Sequence, residues 1–273
     1  MKSNKKALCF VFDHNYLYQG KHAVMSAKKY NPDHTTILLT DQPIDDGIVD
    51  VQIRPEQLGL SEKTWMIVGR VAILEFVITN LNFDTAILID GDTYSYNTFS
   101  ELQTDCENHS IVVIPHITQP LPSDNKFPQN TTISLAGNYN AGIVGVSKTG
   151  LNFIRWWKNQ TSLFPISRPE IGLANEQGWL RFAPDFDDNT KIFKHPGYNV
   201  AYWNIKQRNI ELDNGIFKID NHNLCIMHFS GLKKEMPPEA MSIFQNRYIL
   251  SKDDLAYQIF ADYKSLIWGA QNA

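Results

Sequence analysis

The feature that most constrains the fold is a short apolar run, residues 86–89, which ends in two aspartates, Asp90 and Asp92. A run of this length predicts a strand buried on both faces, and open α/β sheets bind their ligands at the carboxyl ends of such strands. Strand alternation places both carboxylates on one side, and Gly91 lets the backbone bend between them. Two close carboxylates repel unless a cation or a shared proton lies between them. The pair therefore predicts a divalent ion shared with phosphate oxygens, with a strand end bearing two solvated acids as the alternative.

Apolar runs that predict strands alternate with amphipathic stretches that predict helices along most of the chain. The chain opens as a βαβ unit, with a strand at residues 7–12, a helix at residues 18–30 and a strand at residues 37–40. This alternation predicts an α/β fold. Further strands are predicted at residues 111–115, 138–146 and 224–229, and further helices at residues 65–80, 151–159, 176–182 and 253–268.

The composition argues against several classes of protein. Hydrophobic residues make up 43% and charged residues 20% of the chain, which is ordinary for a globular protein and argues against disorder. The net charge of -4 and the lack of a basic stripe argue against nucleic-acid binding. No stretch reaches the roughly 20 apolar residues of a spanning helix, and no signal peptide is apparent, so a cytoplasmic protein is expected. The cysteines, Cys9, Cys106 and Cys225, lack close spacing and are expected to be reduced core residues.

Polar side chains follow the first predicted strand, where a ligand of a parallel sheet would lie. Asp13 and Asn15 can hydrogen-bond a nucleotide base and Tyr16 can stack on it. Capping of the next helix is an equal alternative for Asp13 and Asn15. Arg70 interrupts an apolar helix, so it is expected either to meet a structural carboxylate or to point at an anionic ligand.

The second half of the chain carries further candidates. Ala141 and Gly142 are small residues in a predicted strand, where a ligand can approach the backbone. The polar, Pro-rich residues 116–135 predict a long surface loop and a candidate lid. For Glu176 the simplest role is a favourable charge near a helix N-terminus. For His228, at a predicted strand end, a structural role is the commoner alternative to ligation.

Five segments in chain order resemble the motifs of the GT-A glycosyltransferases, most closely those of family 8, which includes bacterial lipopolysaccharide galactosyltransferases and glycogenin. The resemblance covers roughly residues 7–235. Each motif is short, but five in the right order are hard to explain as accident. The segments are Asp13-His14-Asn15-Tyr16 (D-x-N-Y), Asp90-Gly91-Asp92 (D-x-D), Asn140-Ala141-Gly142 (N-[SA]-G), Glu176-Gln177 (D-Q) and His228 to Lys234 (H-x-x-G-x-x-K).

The resemblance implies a GT-A fold, in which a Rossmann-like, nucleotide-binding mixed sheet is flanked by helices, with a small C-terminal helical extension. It implies a Mn²⁺ or Mg²⁺ ion bound by Asp90, Asp92 and His228, and a UDP-sugar as the donor. Glu176 and Gln177 are the implied catalytic residues, and one of them is implied to face the anomeric carbon, either as a nucleophile or as a stabiliser of an oxocarbenium-like state. The implied donor-binding residues are Asp13, Asn15, Tyr16, Arg70, Asp90, Gly91, Asn140, Ala141, Gly142, Gly231 and Lys234.

The implied reaction moves a hexose, with UDP-galactose or UDP-glucose as the suggested donors, to a saccharide or glycolipid acceptor of a bacterial surface glycan. Family members retain the anomeric configuration, and the sequence leaves open whether a covalent intermediate forms. Tyr198, Tyr202 and Trp203 are candidates to stack on an acceptor sugar. A peripheral position at the inner face of a membrane is compatible with such an acceptor.

The chain departs from the family pattern at two places. Glu176 replaces an aspartate, which bears on the catalytic geometry, and Glu235-Met236 replaces a Pro-Trp pair, which bears on the acceptor. We expect one domain. Its expected parts within residues 1–273 are a nucleotide-binding half at residues 1–115, a sugar and acceptor half at residues 116–235 and a helical tail at residues 236–273.

Two other functions compete with glycosyl transfer. Residues 89–93 also fit the h-D-x-D-x-T signature of haloacid-dehalogenase-type phosphatases, with Asp90 as the nucleophile and Asp92 as the acid. That fold usually carries the motif on its first core strand, whereas two predicted strands precede it here. The other alternative is a sugar-nucleotide-binding protein without turnover, and the retention of all three implied metal ligands argues against it.

Overall fold

The structure is a computed structural model that describes residues 4–44 and 47–269. Strands and helices alternate through its first two thirds, and short strands and one long helix follow. The strands are β1 (Lys6–Val11), β2 (Thr35–Leu39), β3 (Val51–Ile53), β4 (Thr85–Asp90), β5 (Thr93–Ser95), β6 (Ile111–Pro115), β7 (Tyr139–Ser147), β8 (Ser167–Arg168), β9 (Leu173–Ala174), β10 (Thr190–Ile192), β11 (Ile210–Asp213), β12 (Ile216–Ile219), β13 (His222–Asn223) and β14 (Ile226–His228).

The helices flank these strands, and several short 3₁₀ segments connect them. The α-helices are α1 (Leu17–Tyr30), α2 (Trp65–Thr79), α3 (Ser100–Asn108), α4 (Asn130–Ala136), α5 (Leu151–Leu163), α6 (Ala183–Phe186) and α7 (Leu255–Trp268). The 3₁₀ segments are His14–Tyr16, Pro55–Leu58, Lys148–Gly150, Pro169–Ile171, Asn175–Phe182 and Ile205–Gln207.

Seven strands form a central mixed sheet in the order β10-β6-β7-β4-β1-β2-β3. Strands β4, β1, β2 and β3 are parallel to one another, and β7 runs antiparallel to both of its neighbours, β4 and β6. Small additional sheets pair β5 with β14, β8 with β9, and β11 with β12 and β13. The predicted α/β architecture, a mixed sheet flanked by helices, is confirmed.

The sheet is covered on both faces, as the continuous apolar strands predict. In β1, Ala7 and Cys9 pack into one core layer, whereas Leu8 and Phe10 pack into the other, because successive side chains point to opposite faces. Helices α2 and α5 cover the first face, and α1 and α3 cover the second. Burying a side chain such as that of Leu8 or Phe10 contributes about 1.5–3 kcal/mol to stability. The two core layers therefore stabilise the sheet, whose strand order positions the candidate site.

A third apolar cluster joins the C-terminal helix to the strands around β14. It contains Met227 and Phe229 beside β14, and Ile259, Phe260 and Tyr263 from α7. Within the described ranges, no helix is long and apolar enough to cross a membrane. The predicted helix at residues 253–268 is present as α7, and it packs against the strand that carries His228.

Three predictions need correction. The predicted surface loop at residues 116–135 is wrong in part, since its end belongs to α4 and both Leu121 and Ile133 are buried. The predicted helix at residues 176–182 is a 3₁₀ segment, and the predicted strand at residues 224–229 is shorter and lies outside the central sheet. The prediction for the three cysteines is confirmed, because all of them are unpaired thiols and buried.

Candidate active site

The direction of β7 brings two distant sequence segments to the same edge of the sheet. Asp90 ends β4 and lies beside Val11 at the end of β1. Because β7 is antiparallel to β4, with Ile89 opposite Ile143, the beginning of β7 lies beside the end of β4. Residues 140–142 therefore adjoin Asp90, as the resemblance implied.

The small sheet of β5 and β14 brings His228 to the same place. His228 lies opposite Thr93 in antiparallel register, and the backbone N–H of Phe229 donates to the carbonyl of Asp92 at 2.8 Å. The register places the imidazole beside the aspartates. This pairing could not be predicted from the sequence, since β5 is only three residues long.

The three implied metal ligands converge. His228 Nε2 lies 2.8 Å from Asp92 Oδ1 and 3.7 Å from Asp90 Oδ2, and ligand atoms of all three residues lie within 4.8 Å of one another. A Cβ on Gly142 would approach Asp90 Oδ2 to 2.8 Å and His228 Cε1 to 2.7 Å, so only glycine leaves room for them. Two carboxylates and one imidazole form a donor set that suits a divalent cation.

The electrostatics of His228 are set by its neighbours. Burial lowers the pKa of His228, but the Asp92 carboxylate opposes burial and, with Asp90, holds the pKa above its usual value. The two acids thus favour the protonated form of the imidazole. Binding of a metal ion would replace this proton, since a ligating histidine must be neutral.

Arg70 connects the metal ligands to Glu176. Its Nη2 lies 2.6 Å from Asp90 Oδ2 and its Nε lies 3.0 Å from Glu176 Oε1. Glu176 is 3% exposed, and burial raises its pKa by more than Arg70 lowers it. Of the two alternatives for Arg70, the structure shows the pairing with carboxylates. For Glu176, it shows an ion pair in addition to the position at the start of a 3₁₀ segment.

Gln177 and Asn140 hold the backbone around this site. Gln177 Oε1 accepts from Ala141 N at 3.0 Å, and its Nε2 donates to the carbonyl of Ala136 at 2.9 Å. Asn140 Oδ1 accepts from Gly142 N at 2.6 Å. Both amides thus fix the first residues of β7, and Gln177 also ties them to the end of α4.

The end of β1 forms the other side of the site. Asp13 Oδ1 accepts from the backbone N–H groups of Asn15 and Tyr16 at 3.0 and 3.3 Å, so Asp13 caps the short segment before α1. Asn15 Nδ2 donates to Asp13 Oδ2 at 3.0 Å. Tyr16 is partly exposed and lines a recess of about 190 Å³, which we call the strand-end recess. That recess is lined by Val11, Phe12, Tyr16, Met66, Arg70, Asp90, Gly91 and Asp92.

Comparison by sequence with family models and with curated proteins finds no match, whereas comparison by structure finds solved structures of similar fold. One is the galactosyltransferase LgtC in complex with donor and acceptor sugar analogues, with a TM-score of 0.56, 12% identity and 96% of each chain covered. Another is the glycosyltransferase GlyE of Streptococcus pneumoniae TIGR4, with a TM-score of 0.57, 15% identity, 99% of this chain and 64% of that chain covered. The protein has the GT-A fold. The fold class predicted from the motifs is confirmed.

A large cavity lies directly beside the metal-ligand cluster. This large cavity has a volume of about 720 Å³. Its inner part contains the predicted site residues, and its outer wall comes from two segments without any recognised motif. The lining includes Arg70, Asp90, Asp92, Asn140, Glu176, Gln177 and His228 inside, and Phe127, Pro128, Thr132, Ile133, Ile243, Phe244, Gln245 and Asn246 outside.

Some predicted residues lie elsewhere. Tyr198 is 0% exposed, so the prediction that it could stack on a sugar is wrong, whereas Tyr202 and Trp203 line the large cavity. Lys234 is exposed and is not among the residues that line the cavity or the recesses near Asp92. Gly231 has φ of +71°, a conformation that favours glycine, and it lies near the ring of Phe244.

Arg247 fixes the outer wall of the large cavity, and we predict that Arg247→Met lowers the free energy of unfolding by about 1–3 kcal/mol. The side chain is 1% exposed, pairs with Asp124 at 2.5 Å and donates to the carbonyls of Lys126 and Pro128 at 2.8 Å each. Removal leaves these carbonyls without their donor. Urea denaturation measures the change.

The matched control is Arg155→Met, since Arg155 also pairs with a carboxylate but its side chain is 55% exposed. An exposed pair contributes at most about 1 kcal/mol, so this variant should unfold close to the wild-type midpoint. Equal losses in the two variants would contradict a specific role of Arg247.

Proposed function

We propose that the protein is a metal-dependent glycosyltransferase that transfers a hexose from a UDP-sugar to a saccharide acceptor. The observation that carries the proposal is the convergence of Asp90, Asp92 and His228 at the sheet edge of a GT-A fold. This cluster lies between the strand-end recess and the large cavity. The strand-end recess and the large cavity thus both border the proposed cation site.

The donor is proposed to lie across this junction. Tyr16 would stack on the uracil in the strand-end recess, and Asn15 would contact the nucleoside. The bound Mn²⁺ or Mg²⁺ supplies positive charge that stabilises the diphosphate as the leaving group. Arg70 adds a buried positive charge beside Asp90, and Gly91 and Gly142 keep the backbone open for the ligand.

The remaining implied donor contacts follow the same reasoning. Asp13 accepts hydrogen bonds from the backbone of Asn15 and Tyr16 and thereby holds both residues in place. It would support donor binding through these two residues as well as by its own contact with the donor. Gly231 lies in the turn after His228, and Lys234 is expected to swing toward the diphosphate from its exposed position. Asn140, Ala141, Glu176 and Gln177 border the space for the sugar.

The acceptor is proposed to enter the large cavity from its outer wall. Phe127 and Phe244 are 51% and 56% exposed there, and Tyr202 and Trp203 lie deeper in the same cavity. Aromatic rings bind the apolar faces of sugars, and a saccharide or glycolipid acceptor of a bacterial surface glycan fits this lining. We also propose that the transferred sugar retains its anomeric configuration, because the resemblance implies it.

The phosphatase alternative finds little support in the fold. A covalent nucleophile needs an accessible carboxylate, but Asp90 Oδ2 is held by Arg70 at 2.6 Å. The D-x-D strand is also the fourth in the chain and lies in the middle of a mixed sheet. A GT-A fold with this cation site favours glycosyl transfer.

The proposal predicts that UDP binds only together with a divalent cation. Isothermal titration of UDP into the protein with Mn²⁺ should give a measurable Kd, and addition of EDTA should weaken binding by at least about tenfold, because two carboxylates and a diphosphate repel one another without the cation. Asp92→Asn should weaken the binding as EDTA does. Unchanged affinity after chelation would refute the proposed site.

The substrate is then identified by release of UDP. UDP-hexoses are incubated with the protein and Mn²⁺ in the absence of an acceptor, and slow release of UDP is expected from the correct donor. The galactose and glucose donors differ in one hydroxyl, and buried polar partners of that hydroxyl would discriminate between them. Turnover of another nucleotide sugar and of no UDP-hexose would overturn the donor assignment.

A further inference from the structure

The C-terminal helix carries a buried tyrosine that the proposed mechanism does not use. Tyr263 in α7 is 2% exposed, and its hydroxyl has no hydrogen-bond partner among the described residues. A buried hydroxyl without a partner costs about 1–3 kcal/mol. A buried group of this kind in a folded protein has a physical reason, and one such reason is a bound ligand that supplies the missing hydrogen-bond partner.

Tyr263 lies beside the proposed metal site. It lines a second recess, of about 20 Å³, which we call the helix recess. This volume holds about one water molecule or one ligand oxygen. The other residues around the recess are Tyr16, Gln19, Asp92, Phe229, Gly231, Leu232, Lys233 and Trp268, so it lies between the end of β1, the D-x-D segment and the turn after His228.

The ring of Tyr263 is held firmly in this position. It stacks in parallel on Phe229, with ring centroids 3.7 Å apart and an interplanar angle of 2°. Tyr94 packs edge-on against Tyr263, with ring centroids 6.2 Å apart. Because Phe229 directly follows His228, the stack also fixes the phenol relative to the metal-ligand cluster.

A tyrosine hydroxyl can donate one hydrogen bond, and that of Tyr263 has no partner among the described residues. Burial raises the pKa of Tyr263 well above its usual value, and the charge of Asp92 raises it further. A neutral phenol beside a carboxylate and a cation site can donate to an anionic oxygen that enters the recess.

We propose that Tyr263 is a donor-binding residue whose hydroxyl donates a hydrogen bond to a diphosphate oxygen of the nucleotide sugar. The proposal rests on the proposed function, and it adds the C-terminal helix to the donor site. The five sequence motifs do not include this residue, because α7 lies beyond the segment that they cover. The helix thus has a role in binding besides its packing.

The test is Tyr263→Phe, which removes only the hydroxyl and keeps the stack on Phe229. We expect the Kd of UDP with Mn²⁺ to rise by about tenfold or more, as for the loss of one hydrogen bond to a charged group. The Kd of uridine, which has no diphosphate, should stay unchanged. Without ligand, the variant should unfold at the same or a higher urea concentration, because a buried unpaired hydroxyl is gone.

The control is Tyr257→Phe, which changes a tyrosine on the same helix that does not line the helix recess. It should bind UDP like the wild type. Equal UDP affinity of Tyr263→Phe and wild type would overturn the inference and leave the proposed function intact. A loss of affinity for uridine as well, or a clear loss of stability, would assign the hydroxyl a structural role and also overturn it. If the wild type binds no UDP, both proposals fail.

Discussion

His228→Ala should lower the rate of metal-dependent UDP-sugar turnover by about 100- to 1,000-fold, the usual cost of removing one group that stabilises developing charge. His228 is the only nitrogen ligand in the proposed set and is tied to Asp92 at 2.8 Å. Without it, the cation would be held by two carboxylates, one of which already pairs with Arg70. The rate of UDP release at saturating Mn²⁺ measures the loss.

His222→Ala is the control for this experiment, because His222 is exposed in β13 and lies outside the large cavity and both recesses. It should turn over the donor like the wild type. The phosphatase alternative makes the opposite prediction for His228, since a covalent mechanism at Asp90 has no use for it. If His228→Ala releases phosphate from a phosphomonoester as fast as the wild type, the result would therefore support the phosphatase alternative.

The sequence could predict the parts of the site that lie on long apolar strands. The run before Asp90 and the apolar runs of β1, β6 and β7 are buried on both faces, so their composition predicts them directly. Periodicity alone did not reveal that β7 is antiparallel. The resemblance implied a mixed sheet and donor-binding roles for both Asp90 and residues 140–142, but it did not give the direction of β7, which only the structure shows.

The parts that the sequence could not predict depend on contacts between short or motif-free segments. Strand β5 has three residues, too few for a period, yet its register with β14 positions His228. The outer wall of the large cavity depends on Arg247, whose role is visible only from the carbonyls that it reaches. Tyr263 lies in the C-terminal helix, which none of the five motifs covers.

Arg70 pairs with carboxylates, as one of its two predicted alternatives states, and its position also leaves room for the other. It pairs with two carboxylates, and it also lines the large cavity and the strand-end recess, where an anionic ligand would lie. Its guanidinium therefore links Glu176, on the proposed sugar side of the site, to Asp90, on the proposed metal side. This link gives the replacement of aspartate by glutamate at position 176 a physical meaning, because the longer side chain reaches Arg70 Nε at 3.0 Å.

The link leads to a prediction that separates two roles of Glu176. If Glu176 acts by orienting Arg70, Glu176→Gln should keep most of that orientation, since a glutamine oxygen can accept a hydrogen bond from Arg70 Nε. Glu176→Ala would leave that donor buried without a partner. We expect turnover to fall by about tenfold for Glu176→Gln and by about 100- to 1,000-fold for Glu176→Ala, as for other groups that position charge in a site.

A covalent nucleophile at Glu176 predicts a different pattern, because neither glutamine nor alanine can attack the anomeric carbon, and both variants would lose turnover equally. The rate of UDP release from the identified donor at saturating Mn²⁺ measures the two losses. Glu75→Gln is the matched control, since Glu75 is also a shielded carboxylate that pairs with cations, Arg155 and Lys158, but it does not line the large cavity. It should change stability and leave turnover as in the wild type. Equal and large losses for the two Glu176 variants would refute the orienting role and show that the reaction needs the carboxylate charge itself.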